Sequence, residues 1–184
     1  MKRILITGVF GTGKTSLIEQ LSNKLNSLGK RVKVVSEVAR ICPFNLNKEQ
    51  TMISTSWLVM AQIENEILFS KENHDYDYVI FDRGIPDIIA HTKILTKSSN
   101  DDELYIRKLE ELGKASLFSF DYIFLSKRSD NFKIQVDGMR VDDEAYQKSL
   151  EEIHIGYLEN GNASYIALVE NNNDRVEQIS RVIL

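Results

Sequence analysis

Short apolar runs rich in β-branched and aromatic residues alternate along this chain with longer stretches of helical period. In the first such stretch Leu17, Leu21 and Leu25 recur every four residues, which places them on one face of a helix. Near-continuous apolar strands that alternate with helices are typical of a parallel sheet buried on both faces. We therefore predict an α/β fold with five parallel strands, over residues 3–7, 31–36, 78–81, 122–126 and 165–169.

The helices between these strands are expected on both faces of the sheet. Crossovers between parallel strands are right-handed, so the result is a three-layer α/β/α sandwich. The longest predicted helix runs to residue 68, and its polar residues Ser54, Ser56 and Gln62 leave room for a pocket. Capping-box spacing predicts three helix starts, at Asn47 with Gln50, Asn100 with Glu103 and Asp174 with Glu177.

The composition is that of an ordinary folded domain. Of the 184 residues, 42% are hydrophobic and 27% are charged, so neither a disordered nor a membrane-inserted chain is expected. The formal net charge of −4 argues against a general nucleic-acid binder. The lone cysteine, Cys42, and the short apolar start favour the cytoplasm. We expect one cytoplasmic domain over residues 1–184, working alone or as a homodimer.

The strongest chemical signal follows the first strand. Residues 8–15 read Gly-Val-Phe-Gly-Thr-Gly-Lys-Thr and match the phosphate-loop pattern G-x-x-x-x-G-K-[ST] in full. Its glycines let backbone N–H groups point at phosphate oxygens, at the N-terminus of the next helix. Lys14 is expected to reach the β- and γ-phosphates of ATP, and the Thr15 hydroxyl to bind Mg²⁺. The predicted nucleotide-binding residues are Gly8, Gly11, Thr12, Gly13, Lys14, Thr15 and Ser16.

Two alternative interpretations of this loop carry less weight. A plain glycine turn would match this pattern by chance in only about 1% of chains of this length, and the strand and helix on either side lower that further. A dinucleotide-binding loop would need a third glycine where Ser16 stands.

The third predicted strand ends in Asp82 and Arg83. Ligands gather at the carboxyl ends of parallel strands, so both side chains are expected beside the phosphate loop. Asp82 would hold Mg²⁺ together with Thr15, and Arg83 would clamp a phosphate or hydroxyl of a second substrate. The alternative is a strand-end pair that caps the following helix, whose first turn includes Pro86 and Asp87.

The second predicted strand ends in the same manner, with Glu37 and Arg40 shortly after it. Glu37 could act as the base for a substrate hydroxyl, and Arg40 could bind the acceptor. Equally, the two could form an ordinary surface pair at i and i+3.

The polar segment 127–142 has no clear period and is predicted to be a lid outside the core. Arg140 on this lid could neutralise charge on a transferring phosphoryl group, and Arg128 is a second candidate. A solvated basic loop is the alternative. The loop 170–174 is expected beside the phosphate loop. Five cations are expected to converge on one cleft, namely Lys14, Arg40, Arg83, Arg128 and Arg140.

Taken together, residues 8–15, 37–40, 82–84 and 137–140 resemble the NadR/Ttd14-type P-loop domain, a group close to nucleoside and nucleotide kinases. The resemblance implies a sheet of order 2-3-1-4-5 and a lid after the fourth strand. It implies phosphate and Mg²⁺ roles for Lys14 and Thr15, an acid and a base in Asp82 and Arg83, and a lid arginine in Arg140. Glu37 is similar in position to the carboxylate that meets the acceptor hydroxyl in nucleoside kinases, without their following proline.

The predicted function is that of an ATP- and Mg²⁺-dependent P-loop phosphotransferase. Its acceptor would be a nucleoside, a nucleotide or a ribosylated base. The predicted catalytic residues are Lys14, Glu37, Asp82, Arg83 and Arg140. Two alternatives remain open: a regulatory ATPase or GTPase without a small-molecule acceptor, and a nucleotide-binding scaffold. A typical GTPase is disfavoured because no Asn-Lys-x-Asp motif occurs.

Overall fold

The computed structural model describes residues 1–70, 75–95, 100–129 and 143–184. Within these ranges the chain forms five strands, six α-helices and two short 3-10 turns. In chain order these are β1 (Lys2–Thr7), α1 (Lys14–Ser27), β2 (Val32–Val35), the turns Val38–Ile41 and Asn47–Glu49, α2 (Met52–Leu68), β3 (Tyr78–Asp82), α3 (Ile85–Leu95), α4 (Asn100–Leu117), β4 (Tyr122–Leu125), α5 (Glu144–Asn160), β5 (Ile166–Ala167) and α6 (Asn172–Ile183).

The five strands form one parallel sheet in the order β2-β3-β1-β4-β5, which confirms the predicted topology. In the centre of the sheet, Ile4 of β1 pairs with Ile80 of β3 and with Tyr122 of β4. β5 is shorter than predicted, with two residues. The backbone N–H of Val169 bonds to the side chain of Gln178 instead of a neighbouring strand, so the chain leaves the sheet there.

Successive residues of the central strands face opposite sides of the sheet, and this alternation builds two cores. Ile4 and Ile80 belong to the cluster that packs beneath α1 and α6. Leu5 and Phe81 belong to the cluster beneath α2, α3, α4 and α5. All four side chains are fully buried. The predicted three-layer α/β/α sandwich is therefore confirmed.

The predicted start of the long helix is wrong by several residues. Thr51 caps α2, because its hydroxyl accepts from the N–H of Ser54 at 3.3 Å and its own N–H donates to the Ser54 hydroxyl at 2.7 Å. Asn47 lies in the left-handed region at φ 58°, within the second 3-10 turn. The reciprocal Thr51–Ser54 pair therefore sets the start in place of Asn47 and Gln50.

The other two predicted starts fare differently. The described part of α4 runs from Asn100, and residues 96–99 lie outside the described residues, so the predicted cap at Asn100 stays a prediction. α6 begins earlier than predicted, because the side chain of Asn171 accepts from the N–H of Asn173 at 2.8 Å. Asp174 consequently lies in the first turn and not at the cap.

Most of the predicted lid, and Arg140 with it, lies outside the described residues. The lid and the single-domain organisation therefore stay predictions. Among the described helices, none combines the length and the apolar character needed to cross a lipid bilayer.

Candidate active site

The phosphate loop connects β1, the central strand, to α1. Gly8, Gly11 and Gly13 have φ values of 129°, 72° and 76°, where side chains are strained. Gly8 is also required for space, since a Cβ there would lie 2.2 Å from the carbonyl oxygen of Ser126, directly after β4. The loop thus adopts the glycine-dependent turn that the motif predicts.

Lys14 is 5% exposed and folds back over this loop. Its Nζ donates to the carbonyl oxygens of Gly8 at 2.6 Å and of Val9 at 2.5 Å. Burial, with a smaller contribution from the nearby Arg83 charge, lowers the pKa of Lys14 to about 7. A bound polyphosphate would offer this amine stronger, charged acceptors than the two carbonyls.

Thr15 and Asp82 line one cavity, together with Ser36 and Arg40. Thr15 is exposed in the first turn of α1, whereas Asp82 is buried at the end of β3. Burial raises the pKa of the Asp82 carboxyl. Within the described ranges no group of three or more His, Cys, Asp and Glu residues could hold a metal ion. One carboxylate and one hydroxyl, completed by phosphate and water, nevertheless fit Mg²⁺.

Arg83 joins the phosphate loop to two acids. Its Nη1 donates to the Gly8 carbonyl at 2.9 Å and to Asp87 Oδ1 at 3.1 Å, and its Nε lies 2.7 Å from Glu37 Oε1. Burial alone would lower the pKa of Arg83, but the charges of Glu37 and Asp87 raise it overall. Arg83 is therefore a fixed, permanently charged group. The backbone of Arg83 is in the left-handed region, with a φ of 73°.

Glu37 directly precedes the first 3-10 turn and is shared by two arginines. Its Oε1 faces Arg83, while its Oε2 lies 3.9 Å from Nε of the more exposed Arg40. The i, i+3 pair with Arg40 therefore exists, and the contact to Arg83 is the shorter of the two.

Asp87, in the first turn of α3, makes contacts with the phosphate loop that the sequence did not predict. Its Oδ2 accepts from the Thr7 hydroxyl at 2.7 Å and from the Gly84 N–H at 3.0 Å, and its Oδ1 from the Gly8 N–H at 3.3 Å. Burial raises the pKa of Asp87, but His154 and the neighbouring cations lower it more. Asp87 thus ties the phosphate loop to the end of β3.

Glu37 and Arg83 line a second cavity. Arg40 lines both cavities. The walls combine aromatic, aliphatic and amide side chains: Phe10, Gln50, Leu58, Gln62, Ile88 and His91. The polar residues of α2 predicted a pocket beside that helix. Nothing in the sequence identified Phe10, Gln50 and His91 as further residues of its wall.

The aromatic part of this wall is held by α5. The ring of Phe10 lies 6.5 Å from that of His91 and 6.4 Å from that of Tyr146, and His91 Nδ1 is 3.0 Å from the Tyr146 hydroxyl. Burial lowers the pKa of His91 to about 3, so the ring is neutral at physiological pH.

The loop before α6 lies beside the phosphate loop, as expected. Asn172 Nδ2 donates to the Gly13 carbonyl at 3.2 Å, and Arg175 Nη1 donates to the Thr12 carbonyl at 2.7 Å. Arg128 instead bonds to α5, with its backbone N–H on Glu151 and its Nε on Gln147. Lys14, Arg40 and Arg83 therefore converge on the site, Arg128 is engaged by α5, and Arg140 is not described.

A parallel sheet of order 2-3-1-4-5 with a phosphate loop after its central strand defines a P-loop nucleotide-binding domain of kinase-like fold. Residues 3–175 match the family model AAA_28, described as an AAA domain, and the chain belongs to that family.

Two solved structures share the fold. Deoxyadenosine kinase from M. mycoides with its products dCMP and a flexible dCDP bound has a TM-score of 0.74 at 16% identity. The same enzyme with bound dATP has a TM-score of 0.73 at 15% identity. In both, 98% of this chain and 98% of the other are covered. No curated protein matches the sequence.

Proposed function

We propose that this protein is a P-loop phosphotransferase that moves the γ-phosphoryl group of ATP to a hydroxyl of a nucleoside-like acceptor. The observation that carries the proposal is the second cavity, because it is lined by Phe10 of the phosphate loop and contains the Glu37–Arg83 pair. A protein that only hydrolyses nucleotide also needs a group that orients the attacking water, but it has no need of a cavity with space for a second substrate.

On the nucleotide side, the N–H groups that follow Gly8 in the loop and the Lys14 amine would bind the β- and γ-phosphates. Thr15 and Asp82 would hold Mg²⁺, which neutralises charge on the phosphate oxygens when it is bound. Thr12 and Ser16 complete the nucleotide-binding set. Arg140 remains proposed as the lid arginine.

On the acceptor side, Glu37 would accept the proton of the attacking hydroxyl. Arg83 would hold that carboxylate in place and stabilise charge on the transferring group, since its Nη1 already reaches the phosphate loop. Arg40, on the border of both cavities, would bind the acceptor near its reacting end.

The far wall of the cavity favours a planar base over a purely charged acceptor. Phe10 and the neutral His91 offer ring faces, and Gln50 and Gln62 offer amide donors and acceptors. The fold likeness to a deoxyadenosine kinase supports the same class. The enzyme would work in the cytoplasm, as a monomer or homodimer, on nucleotide and small molecule and without nucleic acid.

The test is ATP turnover with Mg²⁺ across nucleosides, nucleotides and ribosylated bases, with product identified by mass. We expect ADP formation that depends on an acceptor and equals the phosphorylated product. Lys14→Ala should abolish nucleotide binding and turnover. ATP turnover that never depends on any acceptor would overturn the kinase proposal.

A regulatory ATPase is the second candidate, because the family is described as an AAA domain. It predicts slow hydrolysis without an acceptor, stimulated by a partner protein. The same assay separates the two proposals, since only the kinase forms a phosphorylated small molecule.

A further inference from the structure

Arg175 is an unusual residue in this site, because it is a fully buried arginine that donates to two backbone carbonyls and to the side-chain oxygens of Ser126 and Asn172. It lies in the first part of α6 and is 1% exposed. Its Nε donates to the Val169 carbonyl, and its Nη1 donates to the Thr12 carbonyl at 2.7 Å and contacts the Ser126 hydroxyl at 3.1 Å. Ser126 Oγ also donates to the Thr12 carbonyl, at 3.0 Å. One carbonyl of the phosphate loop is thus held by two donors.

The position of this carbonyl within the loop gives the contact its significance. Thr12 lies between Gly11 and Gly13, which both have left-handed φ values. Glycine makes rotation of the adjoining peptide planes cheap, so this stretch could adopt several conformations. In a planar trans peptide the N–H points opposite to the C=O. Fixing the Thr12 carbonyl toward Arg175 therefore fixes the Gly13 N–H toward the opposite side.

The next peptide is held in the same manner. Asn172, one helical turn before Arg175, donates its Nδ2 to the Gly13 carbonyl at 3.2 Å. That bond, together with the helical bond from the Leu17 N–H at 3.0 Å, orients the peptide whose N–H belongs to Lys14. Both amides belong to the motif whose N–H groups receive phosphate.

We propose that Arg175 is a positioning residue for nucleotide binding: together with Asn172 and Ser126 it locks the phosphate loop with the Gly13 and Lys14 amides set for a polyphosphate. The inference rests on the nucleotide binding assigned to this loop and is independent of any acceptor. It extends the site to α6, about 160 residues from the motif in sequence. Burial lowers the pKa of Arg175 to about 10, which leaves it charged at neutral pH.

The experiment is calorimetric titration of the full chain with ATP and with inorganic tripolyphosphate, which engages the phosphate loop alone. We expect Arg175→Met to raise the Kd for both probes by about 10- to 100-fold, the effect of losing a charged hydrogen bond. Arg181→Met is the matched control, because Arg181 lies on the same helix and is exposed. It should bind as the wild type does.

Stoichiometry separates positioning from simple loss of folding. Partial unfolding lowers the number of sites at unchanged Kd, whereas mispositioned amides raise Kd at unchanged stoichiometry. If Arg175→Met does not fold, Asn172→Ala and Ser126→Ala take its place, and each should raise the Kd for tripolyphosphate about threefold. The proposal is overturned if folded variants of this set bind tripolyphosphate within twofold of the wild type. Absence of ATP binding by the wild type would instead refute the nucleotide site itself.

Discussion

The Nε of Arg83 lies 2.7 Å from Oε1 of Glu37, although the two residues follow different strands, β3 and β2. Because these strands are neighbours in a parallel sheet, their carboxyl ends bring the pair together. The contact places a carboxylate that is paired with a charged arginine on the wall of the second cavity, beside the phosphate loop. A base that already lies near the reacting groups loses little entropy when the acceptor arrives.

The first prediction concerns Glu37 as that base. Glu37→Gln keeps the size of the side chain but cannot take a proton, so kcat should fall by about 10²- to 10³-fold while the Kd for ATP stays within about twofold. Steady-state assays with the best acceptor, combined with ATP titration, measure both. Glu49→Gln, an exposed change in the same connection, should behave as the wild type. An unchanged kcat in Glu37→Gln would show that Glu37 is not the base.

The second prediction concerns protons. Since the pKa of Lys14 is about 7 in the free protein, the lysine is about one-tenth protonated at pH 8. Bound phosphates raise this pKa, so ATP binding should take up nearly one proton at pH 8 and little at pH 6. Affinity should accordingly fall as the pH rises above 7.

Calorimetry at pH 8 in two buffers of different ionisation enthalpy measures this uptake. Lys14→Arg is the control, because arginine stays charged throughout and should remove the uptake even if affinity drops. Equal binding enthalpies in both buffers for the wild type would contradict the lowered pKa.

The third prediction is that removing the charge of Asp82 makes the protein more stable and less active. Its pKa is raised by burial, and an acid with a higher folded-state pKa costs stability once it ionises. That cost is present above the ordinary pKa of about 4 and disappears as the pH falls below it. Asp82→Asn should therefore raise Tm at pH 7.5, by about 2–4 °C.

The same variant should lose its response to Mg²⁺. Scanning calorimetry without nucleotide measures Tm, and turnover across a Mg²⁺ titration measures the metal dependence. A Tm below that of the wild type would mean that the Asp82 carboxylate stabilises the fold in a manner that its burial does not indicate.

The fourth prediction concerns the homodimer. Ile53, Met60 and Ile67 recur every seven residues on α2 and are 69%, 63% and 69% exposed. A helical stripe of this period is well suited to pack against a second copy. Light scattering should find a dimer, and Met60→Glu combined with Ile67→Glu should give a monomer.

A matched pair of changes on the opposite layer controls for added charge. Gln20→Glu with Ser27→Glu places the same charges on exposed positions of α1 and should leave the dimer intact. A monomeric wild type at micromolar concentration would refute the homodimer.

The sheet was predictable because its information is local. β-branched strands, helical periods and the phosphate-loop motif each occupy a few consecutive residues, and the order of the strands followed from a family resemblance. Asp87 and Arg175 could not be assigned in the same way. Each acts through bonds to backbone groups far away in sequence, Asp87 to Gly8 and Arg175 to Thr12, and no pattern around either residue announces such a bond. The predicted start of α2 is wrong because two capping pairs lie four residues apart, Asn47 with Gln50 and Thr51 with Ser54. The sequence does not distinguish them, whereas the hydrogen bonds of the structure do.

The contact between Gly8 and Ser126 has a practical consequence for genetics. A conservative-looking Gly8→Ala allele would push a methyl group into the Ser126 carbonyl and strain the junction of β1 and β4, in addition to disturbing the phosphate loop. A phenotype of that allele would therefore not distinguish loss of the folded protein from loss of its activity. A substitution at Lys14, whose side chain bonds only within its own loop among the hydrogen bonds described above, is the better choice for a null allele that keeps the protein in the cell.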